Sequence, residues 1–339
     1  MAVKLAAAAA ILFFFVLPLV PDFRRALRDL GDVQPWFVLL GVACQFGTWS
    51  GYAMLTRACL GESGKSLSFT RMFRIQLSTK AFSNLVPGGA VAGPGLGYRL
   101  LTRSGIDGRD AGFALGTAAL GSAVMLNVLL WVGLVVSLPI RGVNPYYVLG
   151  ALFGVLTMVA GAIVIVGLMD GKVGYERPVR WLATRFRRDP DAASALVRNV
   201  GTRLEALSKD RWLLRRVAGW STFNWLFDAA SLWWMLRAFD HSLGIDALLI
   251  AFGVSNVLAA IPISPGGLGI VEWAYLTTLV GFGVGLATAQ VGVASYRFGQ
   301  FLLPILLGLL LYASLQHGPW SIDRIERRRA KASAARAAH

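Results

Sequence analysis

Cysteine, histidine and charge are all scarce in this sequence. Its 339 residues include two cysteines and three histidines, too few for a disulfide framework or a His/Cys metal cluster. Cys44 and Cys59 lie fifteen residues apart in one apparent helix, roughly 22 Å at 1.5 Å per residue. A disulfide needs Cα atoms within about 7 Å, so these two do not pair. No metal or other cofactor is expected. Also missing are HExxH, GxSxG and any close acidic pair at membrane depth, so acyl, glycosidic and metal-assisted hydrolysis lack their usual residues. Cys59–Ser66 comes near a phosphate-binding loop, but Cys59 stands where the first glycine belongs, and an apolar helix precedes it instead of a strand. Gly93-Pro-Gly95-Leu-Gly97 likewise follows no strand and is no dinucleotide fingerprint. The chain is not expected to be an enzyme.

What the sequence has in excess is apolar surface. Hydrophobic residues make up 56% and charged residues 15%, against roughly 45–50% and about 25% in a soluble domain. Lipid is the expected solvent. Six stretches read as transmembrane helices: Leu5–Val20, Trp36–Leu60, Ala111–Ser137, Pro145–Leu168, Leu213–Ala238 and Thr288–Leu315. The first is short and could be a signal peptide. Its small residues Ala6–Ala10 open the run, however, and Pro21-Asp22 close it, which puts the cleavage pattern on the wrong side. It is therefore expected to remain as an uncleaved helix.

Two further apolar segments are broken in the middle. Arg71–Arg103 carries Pro87-Gly88-Gly89, and Leu248–Val280 carries Pro265-Gly266-Gly267, with Gly269 just beyond. Proline removes a backbone donor and glycine lacks helix propensity, so each triplet ends a helix. Each segment is expected to enter the membrane, turn and return as a re-entrant hairpin. Bare turn backbone is not tolerated in lipid, so the turns face protein or a wet cavity.

The distribution of charge tests this map. With the N-terminus cytoplasmic and both hairpins returning to their starting sides, 27 of the 33 Lys and Arg fall on the cytoplasmic side and four outside. That is the bias of the positive-inside rule. The net charge of +15 is then a topology signal facing anionic lipid, and nucleic acid is not an expected partner. Both termini are placed in the cytoplasm, and the protein in the cytoplasmic membrane.

Pro87 and Pro265 are 178 residues apart, and the same shift carries the ends of helices two and three onto those of helices five and six. The expected fold is an all-α polytopic membrane protein of about six transmembrane helices plus two re-entrant hairpins, arranged as an inverted repeat. Residues 1–316 form one membrane domain, with repeats at about 1–137 and 145–316. A cytoplasmic segment at 170–212 reads as amphipathic, and 317–339 as a basic tail. Inverted repeats with broken helices are a recurring transporter plan, with the site near the midplane.

Five ionisable residues fall at membrane depth: Lys80, Arg99, Asp228, Glu272 and Arg297. Each charge costs at least ~2.5–3.5 kcal/mol at a helix centre, so each needs a partner or water. Gln76, Lys80 and Asn84 recur at i, i+4 and i+8 on one face of the first hairpin arm. Such a stripe suits an anionic head group; snorkelling to the interface is the plainer role for Lys80. Glu272 and Arg297 lie at similar depth and are expected to pair, either structurally or as a gate. Asp228 is expected to face a basic residue.

Pro265-Gly-Gly-Leu-Gly-Ile-Val-Glu272 resembles the P-G-G-x-G-x-x-E signature of the lysylphosphatidylglycerol synthase transmembrane, flippase-like family. Asn84-Leu-Val-Pro-Gly-Gly, with Arg99 downstream, is similar to that family's first-half motif, and Tyr296-Arg297 with Pro304 and Gly308 to its last-helix pattern. Where relatives often show a short Gly-acidic stretch, this chain has Ala90-Val-Ala-Gly-Pro-Gly-Leu-Gly, so that acidic residue's role does not carry over. Bifunctional relatives add a cytoplasmic aminoacyl-transferase, whereas only 23 residues follow here. The resemblance therefore implies translocation alone, of an anionic, aminoacylated or polyprenyl-linked lipid. A membrane lipid is the expected partner and a homodimer is left open. The alternatives are a membrane enzyme acting on a lipid head group and a scaffold for a cell-envelope glycosyltransferase complex.

Overall fold

Proline, glycine and side-chain caps set where the helices begin and end. A computed structural model describes residues 33–86, 89–141, 210–259 and 267–317, with Val155, Val159, Thr184, Ser321, Ile322 and Arg324 singly. Among the described residues every regular element is helical. The expected helices Leu5–Val20 and Pro145–Leu168, nearly all of the 170–212 segment, most of the tail, and Pro87, Gly88, Pro265 and Gly266 lie outside them.

Helix α1 (Pro35–Cys59) opens on proline, at a position where the missing N–H would have no helical partner anyway. A 3₁₀ turn (Ser63–Ser66) leads to α2 (Phe69–Leu85), where Ser68 caps the helix by accepting the Arg71 N–H at 3.3 Å. Helix α3 (Gly89–Arg103) runs back after the first break, and α4 (Gly108–Arg141) follows. Asp210 caps α5 (Arg211–Arg237) by accepting two backbone N–H bonds at 3.0 Å. The second broken segment supplies α6 (Ile245–Ala259) and α7 (Ile270–Gly281). Helix α8 (Leu286–Arg297) passes through a π turn (Phe298–Leu302) into α9 (Leu303–Gln316).

Three of these spans are long and apolar enough to cross a bilayer: Pro35–Cys59, Gly108–Ser137 and Leu286–Gln316. Helix α5 has the length, at 27 residues, but carries Arg211, Arg215, Arg216, Asp228 and Arg237. Large apolar side chains point outward, including Trp36, Trp273, Leu306 and Leu310. Lipid is the solvent such a surface calls for.

Inside, α1 packs along α5, α2 lies against α9, and α6 lies against α4. The α2–α9 approach is backbone to backbone. A Cβ at Gly308 would overlap the Leu77 carbonyl oxygen and the Ala81 methyl. Asn84, near the tip of α2, donates to the Phe301 carbonyl at 3.1 Å. The first hairpin is thereby fixed to the π turn of the last long helix.

Candidate functional site

The polar residues that the apolar helices do carry converge in one place. Asp228, in mid-α5, is 4% exposed. Its Oδ1 accepts from Gln45 Nε2 of α1 at 2.8 Å and from the Tyr296 hydroxyl of α8 at 3.0 Å. Lys80 of α2 faces this carboxylate and interacts electrostatically with both Asp228 and Arg297. Tyr275 of α7 stacks edge-on against Tyr296, centroids 5.6 Å apart, and its hydroxyl accepts from Asn256 Nδ2 of α6 at 2.8 Å. Residues from both hairpins, from both packed helices α1 and α5, and from the last span therefore share one buried network.

Beside it sits the ion pair. Arg297 Nε donates to Glu272 Oε1 at 2.5 Å, with the side chains 9% and 21% exposed. Arg297 Nη1 also donates to Gln300 Oε1 at 2.5 Å, and its guanidinium lies 5.3 Å from the centre of the Phe301 ring. The other oxygen of Glu272 accepts the Gly269 N–H at 2.6 Å. Gly267 and Gly269 have φ of +71° and +88°, a region that side chains other than glycine's enter only at a cost. The local reason for the Gly-x-Gly-x-x-Glu spacing is now visible. Two left-handed glycines turn the chain into α7, and a glutamate one turn later holds both that helix start and the arginine.

Lys80 makes no hydrogen bond or ion pair at bonding distance with any described residue. One turn earlier, Gln76 is 6% exposed and its Nε2 also has no partner. Buried donors are nearly always satisfied, so the Gln76 amide needs an explanation, and the part-exposed Lys80 ammonium one turn away is free to share it. A buried water or a bound acceptor would satisfy the amide. A phosphate offers several oxygens to an ammonium and an amide N–H, with the field of a partly dry site strengthening both bonds.

Of the residues expected at the site, Gln76, Lys80, Asn84, Asp228, Glu272 and Arg297 lie in or beside this network, and Gly267 and Gly269 shape its edge. Arg99 does not join them. It is exposed on α3 and makes no hydrogen bond or ion pair with the network. Gly89 begins α3. Sequence reasoning passed over Gln45, Asn256, Tyr275 and Gln300. Gln45 carried the clearest signal, a primary amide near the centre of an apolar 25-residue helix, which is expensive there without a partner.

The fold and the buried network define an integral, all-α membrane protein with a polar centre. The sequence matches the family described as the lysylphosphatidylglycerol synthase TM region over residues 1–308, and the chain belongs to that family. This places it among membrane proteins of lipid metabolism or translocation. No curated protein matches the chain significantly.

Proposed function

We propose that the chain is a lipid translocase. It moves a lipid with an anionic head group, of phospholipid, aminoacylated or polyprenyl-linked type, between the leaflets of the cytoplasmic membrane. The observation that carries this is the unmatched Lys80 and Gln76 beside Asp228 and the Glu272–Arg297 pair. Such a group suits phosphate binding, and its hydroxyl–carboxylate contact, Tyr296 on Asp228, is buried within the network. Binding is the direct test. Full-length protein in nanodiscs should bind dioctanoyl phosphatidylglycerol and not dioctanoylglycerol, which has the same tails and no phosphate. Equal binding of the two, or binding of neither phosphatidylglycerol nor farnesyl phosphate, would overturn the proposal.

An inverted repeat supports the transport mechanism. Shifting α1 to α4 by 178 residues gives 213–237, 247–263, 267–281 and 286–319. The second-half elements run Arg211–Arg237, Ile245–Ala259, Ile270–Gly281 and Leu286–Gln316. The packing follows the same exchange, α2 on α9 and α6 on α4. Even the close approaches correspond. Gly308 meets Leu77 on one side; on the other, Leu130, the shifted position of Gly308, meets Gly253, two residues from the shifted position of Leu77. If the expected helices Leu5–Val20 and Pro145–Leu168 each cross once, each repeat has three crossings, and the two are opposed in the membrane with equivalent outward and inward openings.

Opposed repeats predict a labelling pattern. On a background with Cys44 and Cys59 replaced by alanine, a cysteine near Gly64, at the exposed Glu62, should react with an impermeant maleimide only from the cytoplasmic side. A cysteine at Asp240 should react only from outside. Labelling of both from one side would remove the inverted repeat.

A further inference from the structure

We propose that anion binding at this site draws in one proton, carried by Asp228, so that an anionic head group and a proton cross the membrane together. The proposal rests on the translocase function above and adds its coupling.

The basis is the charge inventory of the network. Among the described residues it holds two cations, Lys80 and Arg297, and two anions, Asp228 and Glu272. Arg297 and Glu272 are bonded to each other, which leaves Lys80 and Asp228 as the responsive pair. Empty, the site is neutral. A phosphodiester entering on Lys80 adds one negative charge in a setting where net charge is strongly disfavoured. Protonating Asp228 restores neutrality.

The geometry leaves room for the proton. Gln45 Nε2 and the Tyr296 hydroxyl converge on Oδ1, so a proton on Oδ2 breaks neither of those bonds. Gln300, the third side chain bonded to the carboxylate, is the one that must adjust. The groups facing Asp228 are Lys80 from α2, Gln45 from α1, Tyr296 from α8 with Gln300 of the π turn, and Tyr275 from α7. From α4 and α6 no titratable side chain among the described residues reaches it. Asp246, at the start of α6, is bonded instead to Ser137 at 3.2 Å. Neither tyrosine is a competing acceptor, since a neutral phenol has no proton to gain. A protonated Asp228 also releases Lys80 from its nearest negative charge, freeing it for the phosphate. Transport of this kind is electroneutral, so a pH gradient drives it and a membrane potential does not.

The experiment is calorimetric titration of the full-length protein in nanodiscs with dioctanoyl phosphatidylglycerol, in two buffers of different ionisation enthalpy. A phosphodiester keeps its single charge throughout the useful pH range, so any proton change belongs to the protein. The expected result is uptake of about one proton per lipid, with Kd rising about tenfold per pH unit wherever the empty site holds Asp228 ionised. Asp228→Asn, which mimics the protonated acid, should bind with no proton uptake and a flat pH profile. Binding by wild type without proton exchange overturns the coupling and leaves the translocase proposal standing, and proton uptake persisting in Asp228→Asn overturns the assignment to Asp228. No binding of the lipid at any pH overturns both. If Asp228→Asn does not fold, the wild-type proton count decides.

Discussion

Arg297→Gln is expected to destabilise the protein by about 3 kcal/mol, the lower end of the range for removing one partner of a buried pair. The lower end applies because Glu272 is 21% exposed on its side chain and keeps the Gly269 N–H on its second oxygen. Glutamine is shorter and uncharged, so Glu272 would face an apolar surround with one oxygen unmatched. Gln300 and the Phe301 ring would also lose the guanidinium. Adding Glu272→Gln removes the stranded charge and should restore part of the loss, although the helix α7 start then depends on an amide oxygen. Thermal denaturation and yield of the detergent-purified single and double variants check this. A double variant no more stable than Arg297→Gln alone would mean that the two residues are not energetically coupled.

Lys80→Gln should leave the fold intact and weaken anionic-lipid binding roughly ten- to hundredfold. Lys80 holds no hydrogen bond or ion pair at bonding distance among the described residues, and Asp228, which loses its compensating charge, keeps the fold by taking up a proton. What it loses is a charge-assisted hydrogen bond to phosphate, worth about 1.5–3 kcal/mol, which converts to that factor in Kd. Lys80→Arg keeps the charge and should retain most of the affinity. Binding of dioctanoyl phosphatidylglycerol to the three forms, alongside their melting temperatures, separates loss of site from loss of fold. Unchanged affinity in Lys80→Gln would remove Lys80 from the site.

The helix breaks were legible because they are local. Pro87-Gly88-Gly89 interrupts α2 and α3 in the sequence itself, and no tertiary context can supply the missing donor. The Glu272–Arg297 pair was legible for a different reason. Both charges sit at matching depth in segments that lipid would otherwise exclude, so each required the other. The partners of Asp228 were not legible. Gln45 lies 183 residues away and Tyr296 lies 68 residues away. Only the packing of α1 and α8 on α5 brings them together, and neutral side chains leave no charge pattern to match. Arg99 stands apart from the network for a related reason. Its place in the sequence beside the break resembles that of Lys80, but α3 turns it to the surface while α2 turns Lys80 inward. Helical phase relative to neighbouring helices decided the difference, and a single segment does not reveal that phase. The π turn at Phe298–Leu302 was equally hidden, although Pro304 one turn on marks where the regular bonding pattern fails.

Translocation in liposomes tests the central claim most directly. The purified protein is reconstituted into vesicles containing a trace of fluorescently labelled phosphatidylglycerol, and dithionite added outside quenches only the outer leaflet. Protein-containing vesicles should lose the protected inner-leaflet signal faster than protein-free ones, and Lys80→Gln vesicles should fall close to the protein-free rate with equal protein incorporated. The contrary result is loss no faster than in protein-free vesicles for labelled phosphatidylglycerol and polyprenyl phosphate alike, accompanied by chemical change of the head group in the recovered lipid.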